Sequence, residues 1–343
     1  MLRHMKFLPA VLLMFLAGCS SSSDDRLVPA PATFKVQALH ASPDAPTVNL
    51  SIGSNTISNV DYKAGTAALA LNVGTYAVKV DGILPGGPAT VIGPVNLSFA
   101  ADKLYSIVAV GDVANIEALV LEQPDTAVPA GAVRLRVVHA APMAPRVDVY
   151  LTAPGADLSA AAPVGTFAFR ENLGPVEIPA GNYQARVTLA GNPAAVVFDT
   201  GTITLAAGGN LLLTAVENTA TGSAPISLVV QNGSGSSQIL DVATPADLRV
   251  VHASPDAPAV DVVVNDDFAN PLVPDLSFPG FTPFVSVPPA TYNVKVTDAA
   301  TQGVVPINAN LDLVAGIRYS VLAVGNLAAL EALIAVDDPR PIA

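Results

Sequence analysis

The chain has 343 residues and a formal net charge of −12, and it is 51% hydrophobic but only 13% charged. It is too apolar for a disordered chain and too broken by 30 prolines and 25 glycines for a long-helix protein. It is also too acidic, with no basic run, for a nucleic-acid partner.

Residues 1–18 read as a lipoprotein signal peptide. "MLRHMK" gives a positive start, and "FLPAVLLMFLAG" is an apolar run of 12, too short to span a bilayer as a permanent helix. It ends in "LAGC" at 16–19, which resembles a bacterial lipobox with Cys19 as the lipidated residue. Cys19 is the single cysteine, so the mature chain would hold no disulfide and its domains would rest on core burial alone. Loss of Arg3 and Lys6 takes the formal charge from −12 to −14, so the expected membrane contact is the lipid and not the protein surface. Ser20 after the cysteine resembles outer-membrane lipoproteins, which places the protein in the cell envelope and leaves open whether it faces the periplasm or the cell surface. Residues 19–33, with "SSSSDDRLVPAPAT", read as a flexible tether.

Three units follow, expected at 34–123, 133–231 and 248–338, with breaks at "EQPDTAVPAGA" (122–132) and "QNGSGSSQILDVATPAD" (231–247). They open alike: "FKVQALHASPDAPTVNLSI", "VRLRVVHAAPMAPRVDVYL" and "LRVVHASPDAPAVDVVV". A turn-headed strand recurs at 73–80, 180–187 and 289–296 as "VGTYAVKV", "AGNYQARV" and "PATYNVKV". Units one and three end alike, "LYSIVAVGDVANIEALVLE" against "RYSVLAVGNLAALEALIAV"; unit two has the longer "LLLTAVENTATGSAPISLVV" there. In unit one, strands are expected at 34–40, 46–52, 56–62, 67–73, 75–81, 91–99, 103–110 and 116–121. Seven or eight strands per unit predict an all-β protein of three tandem antiparallel β-sandwich domains, immunoglobulin-like or transthyretin-like. With no tryptophan, the cores should be packed from Val, Leu, Ile and Ala.

"LRVVHASPDAPAVDVVV" resembles the signature of the bacterial domain of unknown function 4397, in tandem copies over essentially the whole mature chain. Unit two departs from it at Ala141 and Met143. The resemblance implies an extracytoplasmic β-sandwich module and no established reaction.

The histidines of the mature chain, His40, His139 and His252, all sit in the repeated phrase. A metal site would need His plus Asp44 or Asp256 and further ligands, and unit two offers only Met143 in place of the carboxylate. Catalysis would pair His and Asp with Ser42 or Ser254, but Ala141 replaces the serine in unit two. The structural reading is preferred. With a period of two, His40 points with Phe34, Val36 and Ala38, and Lys35 and Gln37 take the other face; Arg134, Arg136 and Arg249 do so in the later units. A neutral imidazole there can join backbone groups at the strand end. Pro43, Pro46, Pro142, Pro145, Pro255 and Pro258 set the turn that follows, with Asp44 and Asp256 bonding nearby amides.

Tyr76, Tyr183 and Tyr292 share a face with Val and Ala and read as core or corner residues. Asp266 and Asp267 are a weak calcium signal. The functional expectation is a lipid-anchored surface protein with a structural or adhesive role, no catalysis, no cofactor and no resident metal. The alternative is a protein that binds a glycan or peptide through loops at one end of the sandwiches.

Overall fold

The computed structural model describes residues 31–337. The signal peptide, Cys19 and nearly all of the tether lie outside the described residues. Ala32–Ala343 is one compact unit. Among the described residues no helix is long and apolar enough to cross a membrane.

Repeat 1 runs β1 (Thr33–Ala41), β2 (Val48–Ile52), β3 (Asn55–Val60), β4 (Leu69–Asn72), β5 (Gly74–Leu84), β6 (Gly87–Phe99), β7 (Lys103–Val110) and β8 (Glu117–Pro124). These form two four-stranded sheets, β4-β1-β7-β8 and β3-β2-β5-β6. Phe34 and Val36 from one sheet and Leu50, Val78 and Val80 from the other meet in a single core, which makes the repeat a sandwich. Each sheet is antiparallel except for one pair, in which β1 runs parallel to β7 with His40 beside Ala109. That parallel pair joins the two ends of the repeat, so the fold closes only when its last third is in place.

Repeat 2 runs β9 (Ala132–His139), β10 (Val147–Thr152), β11 (Gly165–Phe167), β12 (Asn172–Pro179), β13 (Gly181–Leu189), β14 (Val196–Leu205), β15 (Asn210–Glu217), β16 (Ile226–Gln231) and β17 (Ser236–Ile239). Its sheets are β12-β9-β15-β16-β17 and β11-β10-β13-β14. The ninth strand lies in the segment read as a break at 231–247, where Ser236 pairs with Gln231 and Ile239 with Leu228. Repeat 3 runs β18 (Ala246–His252), β19 (Val260–Val264), β20 (Val273–Leu276), β21 (Val285–Val287), β22 (Ala290–Asp298), β23 (Val304–Leu313), β24 (Arg318–Val324) and β25 (Glu331–Asp337), in sheets β21-β18-β24-β25 and β20-β19-β22-β23.

Repeats 1 and 2 also share a core. Leu39, Ala41, Val108, Val110 and Leu121, on the outer face of one sheet, pack with Val138, Ala140, Leu212, Val216 and Val229 on the matching face of the other. The face of β1 that carries Gln37 is therefore interior: Gln37 is 1% exposed, and Arg134 and Arg136 of β9 are buried too. The terminal nitrogens of both arginines meet backbone and side-chain acceptors, as buried charge requires, while Arg136 Nε has no partner among the described residues. Arg134 donates to the carbonyls of Pro124 and Thr126 and to Glu177, and Arg136 to the Glu122 carbonyl and Asn172.

Candidate functional site

His139 and His252 end their strands and His40 is next to last in its own; all three are buried, His40 at 0%, His139 at 3% and His252 at 1% exposure. The Nε2 atoms lie 2.9, 3.3 and 3.0 Å from the carbonyl oxygens of Pro46, Pro145 and Pro258, the last residue of each phrase. A carbonyl only accepts, so Nε2 carries the proton and Nδ1 is the acceptor. Nδ1 of His40 takes the Ser42 amide at 3.2 Å, and that of His252 takes the Ser254 amide at 3.3 Å. In unit two, His139 Nδ1 has no hydrogen-bond partner among the described residues. Burial holds the His40 and His139 pKa values below the ordinary imidazole range. The Pro46 and Pro145 carbonyls, with the charges of Asp61 and Glu171, oppose that shift.

The rest of the phrase is also occupied. Asp44 Oδ1 accepts the Val113 amide at 2.8 Å and Asp256 Oδ1 the Leu327 amide at 2.9 Å. The amides that Asp44 and Asp256 bond are thus not those of their own turn. They open the short 3₁₀ turns Val113–Asn115 and Leu327–Ala329, which follow β7 and β24. Unit two has no such turn there, and the Met143 amide instead donates to Glu217 Oε1 at 2.9 Å. Ser42 and Ser254 are both 0% exposed. Pro43, Pro46 and Pro142 are half-buried at the turn, while Pro145, Pro255 and Pro258 face solvent. Among the described residues no group of three or more His, Cys, Asp or Glu side chains stands close enough to hold a metal. Asp266 pairs with Lys295, and Asp267 accepts from Asn270.

The tyrosines recur in geometry as well as in sequence. Tyr76, Tyr183 and Tyr292 donate to the carbonyls of Asn72, Pro179 and Pro288, each four residues upstream, at 2.7, 2.8 and 2.8 Å. That is a corner bond fixing a turn to the strand after it. A second recurring feature went unread in the sequence. The Asx in "TVNL", "RVDV" and "AVDV" braces the neighbouring edge: Asn49 accepts the Asn59 amide, Asp148 the Thr166 hydroxyl and the Gly191 amide, and Asp261 the Asp275 amide. Its signal was an Asx inside an otherwise apolar strand at a constant distance from the histidine.

Concave space lies inside the sandwiches. Repeat 2 holds a cavity of about 120 Å³ lined by apolar side chains, among them Leu135, Val149, Ala185, Ile203, Leu205 and Leu213. Its rim reaches the surface at Val164, Val176 and Leu189. Repeat 3 holds smaller ones of about 50 and 40 Å³. Strand register shows why. Phe34, Val78, Phe99 and Tyr105 of repeat 1 correspond to Val133, Ala185, Leu205 and Leu211 in repeat 2, and to Ala246, Val294, Leu313 and Tyr319 in repeat 3. In repeat 1 the Phe34 and Phe99 rings stack at 4.5 Å, with Tyr105 edge-on to both. Repeat 2 has lost all three of those rings at these positions.

No curated protein matches the chain. Among solved structures it is similar to the Bacillus anthracis TIE protein (11% identity, TM-score 0.20, over 85% of this chain and 49% of that one). It is also similar to a product complex of the multi-modular glycogen-degrading pneumococcal virulence factor SpuA (10% identity, TM-score 0.20, over 80% and 37%). The chain thus spans about half the length or less of both. The family model described as "Domain of unknown function (DUF4397)" matches residues 34–150 and 246–343, each stretch opening on the strand that leads into His-Ala-Ser-Pro-Asp-Ala-Pro. With more than half of its length covered by those two matches, the chain belongs to the DUF4397 family.

Proposed function

We propose that this protein is a lipid-anchored component of the cell envelope whose repeated sandwiches have a structural or adhesive role and no catalysis of their own. The observation that supports this most is the state of the histidines. The side chains best suited to chemistry are buried and tied to the backbone of their own turns. What recurs along the chain is thus a way of closing a strand, not an open reactive group. The "LAGC" stretch with Cys19 supports the anchor, and the net charge of −12 supports contact through lipid and not through a basic surface. Replacing Cys19 by Ser should abolish labelling by palmitate and move the protein from the membrane to the soluble fraction. Undiminished labelling would overturn the anchor. A second reading, that repeat 2 takes up a small apolar molecule, rests on its cavity: a dry 150 Å³ cavity of this kind is known to admit benzene or xenon.

A further inference from the structure

The outer sheet face that repeats 1 and 2 bury against each other has a third copy, and in repeat 3 it is open. Register sets the correspondence. Leu39, Val138 and Val251 precede the three histidines, and Val108, Thr214 and Leu322 lie beside them on the parallel strand. Leu119, Val229 and Leu333 pair with those in turn. The amide of each histidine bonds the carbonyl of Ala64, Glu171 or Gly280, which makes Tyr62, Phe169 and Phe278 equivalent rings. His40–Tyr62 and His252–Phe278 are both edge-on at 6.2 Å. In repeats 1 and 2 this face is covered: Leu39, Val108, Val138 and Val229 are at most 1% exposed. In repeat 3 Phe278 is 45%, Leu333 55% and Phe281 71% exposed.

The pairing of repeats 1 and 2 is reciprocal. The turn after β3 in repeat 1 reaches the end of β15, where the Tyr62 hydroxyl donates to the Glu217 carbonyl. The matching turn of repeat 2 reaches the start of β8, where Arg170 pairs with Glu117. The end of β16 touches β1 through Gln231 and the Ala38 carbonyl, and the end of β8 touches β9 through Arg136 and the Glu122 carbonyl. A face that meets its own equivalent in this way suits a two-fold, isologous contact.

We propose that the open face of repeat 3 is a dimerisation surface for the same face of a second copy of this chain. Its residues fit that partner. In the internal pairing, Gly65 makes room for Gln231, and a Cβ on Gly65 would come within 2.7 Å of that side chain. Register makes Phe281 the equivalent of Gly65, through its bridge to Val251, and Ala335 the equivalent of Gln231. Large and small have changed places, so Phe281 fills against Ala335 of the other copy. Phe278 stands where Tyr62 does and needs no carbonyl for a hydroxyl. Pro279 stands where Lys63 and Arg170 do, so Glu331, the counterpart of Glu117, meets an uncharged ring where Glu117 meets the Arg170 guanidinium, and the apolar side chains carry this contact. The acidic chain disfavours an anionic membrane as the occupant.

The test uses residues 32–343, one compact unit that contains no cysteine. The variants F281C and A335C, both at exposed positions, are prepared separately, checked for native circular dichroism, mixed, and oxidised. The mixture should form a disulfide-linked dimer that neither variant forms alone, because each contact joins position 281 of one copy to 335 of the other. The mixed pair keeps the second Phe281–Ala335 contact intact. In sedimentation velocity the unmodified chain should shift from monomer to dimer with rising concentration, and F281D should lose that shift. A chain that stays monomeric, or cross-linking no greater in the mixture than in A335C alone, overturns the proposal. Binding of acidic vesicles by a chain that stays monomeric would do the same.

Discussion

An imidazole held between a carbonyl and an amide cannot take a second proton without setting N–H against N–H. For His40 that pair is the Pro46 carbonyl and the Ser42 amide, and the ring is fully buried. Its pKa is lowered by burial in the folded chain. The unfolded chain therefore takes up a proton that the folded one refuses as pH falls below about 6.5. The stability contributed by the neutral ring is complete above that pH and is lost progressively below it; His139 acts in the same sense. His40→Phe keeps the bulk and removes both bonds. It should cost about 1–3 kcal/mol at neutral pH, speed hydrogen exchange at the Ser42 amide, and flatten part of the decline in melting temperature between about pH 7 and pH 5. Wild-type exchange at Ser42 in the variant would show that the ring is not bracing the turn. His139→Phe should cost less, since one ring nitrogen there has no partner among the described residues. Alternation along β1 was enough to place these rings inside. The identity of the carbonyl was not legible, because a period of two gives the face and says nothing of how the next five residues fold back.

Local pattern carries strands well and packing partners poorly. The expected 34–40, 75–81 and 103–110 lie within β1 (Thr33–Ala41), β5 (Gly74–Leu84) and β7 (Lys103–Val110), because alternation and turn residues act over a few positions. The parallel pairing of β1 with β7 joins residues about 70 apart, and no local signal encodes it. Lys35, Gln37, Arg134 and Arg136 look like a solvated face in sequence. Three of the four are buried, because the neighbouring repeat covers that face; Arg134 and Arg136 reach carbonyls at the end of repeat 1, and Gln37 donates to Ser106 of its own sheet. Core volume lies between these cases: the residues are visible, but their consequence appears only when the repeats are aligned by register. Restoring repeat 1's side chains in repeat 2, as Ala185→Val with Leu205→Phe, places carbon where the 120 Å³ cavity now lies. The pair should raise the stability of repeat 2 by about 1–2 kcal/mol, read as a higher melting temperature. It should also abolish any shift that xenon or benzene produces in the methyl resonances of Leu135 and Ile203. A lower melting temperature would mean that the sheets have already closed over the space and the added atoms overpack it.

Three copies of one sandwich need not make three units of folding. Repeats 1 and 2 bury Leu39, Val108, Val138, Leu212 and Val229 in one cluster, and Arg136 of the second spans to the backbone of the first. Neither can unfold without exposing the other's outer face, so the two should melt as one cooperative body. Repeat 3 has separate clusters, built on Leu248 and Val250 and on Val260 and Val296. It meets repeat 2 through the linker, where the Thr221 hydroxyl bonds the Pro245 carbonyl and Gly222 lies against the same proline. Scanning calorimetry of residues 32–343 should therefore show two transitions and not three. At about 0.7 kcal/mol per residue, the larger would carry roughly 140 kcal/mol and the smaller roughly 65. Arg136→Ala leaves the Glu122 carbonyl and Asn172 without their donor and opens the shared interface. It should lower the larger transition and begin to divide it, while the smaller one holds its temperature. Three transitions of equal enthalpy in the unmodified chain would mean that the buried face between repeats 1 and 2 is too weak to couple them. The open face of repeat 3, built on the same plan, would then lose its reason to pair.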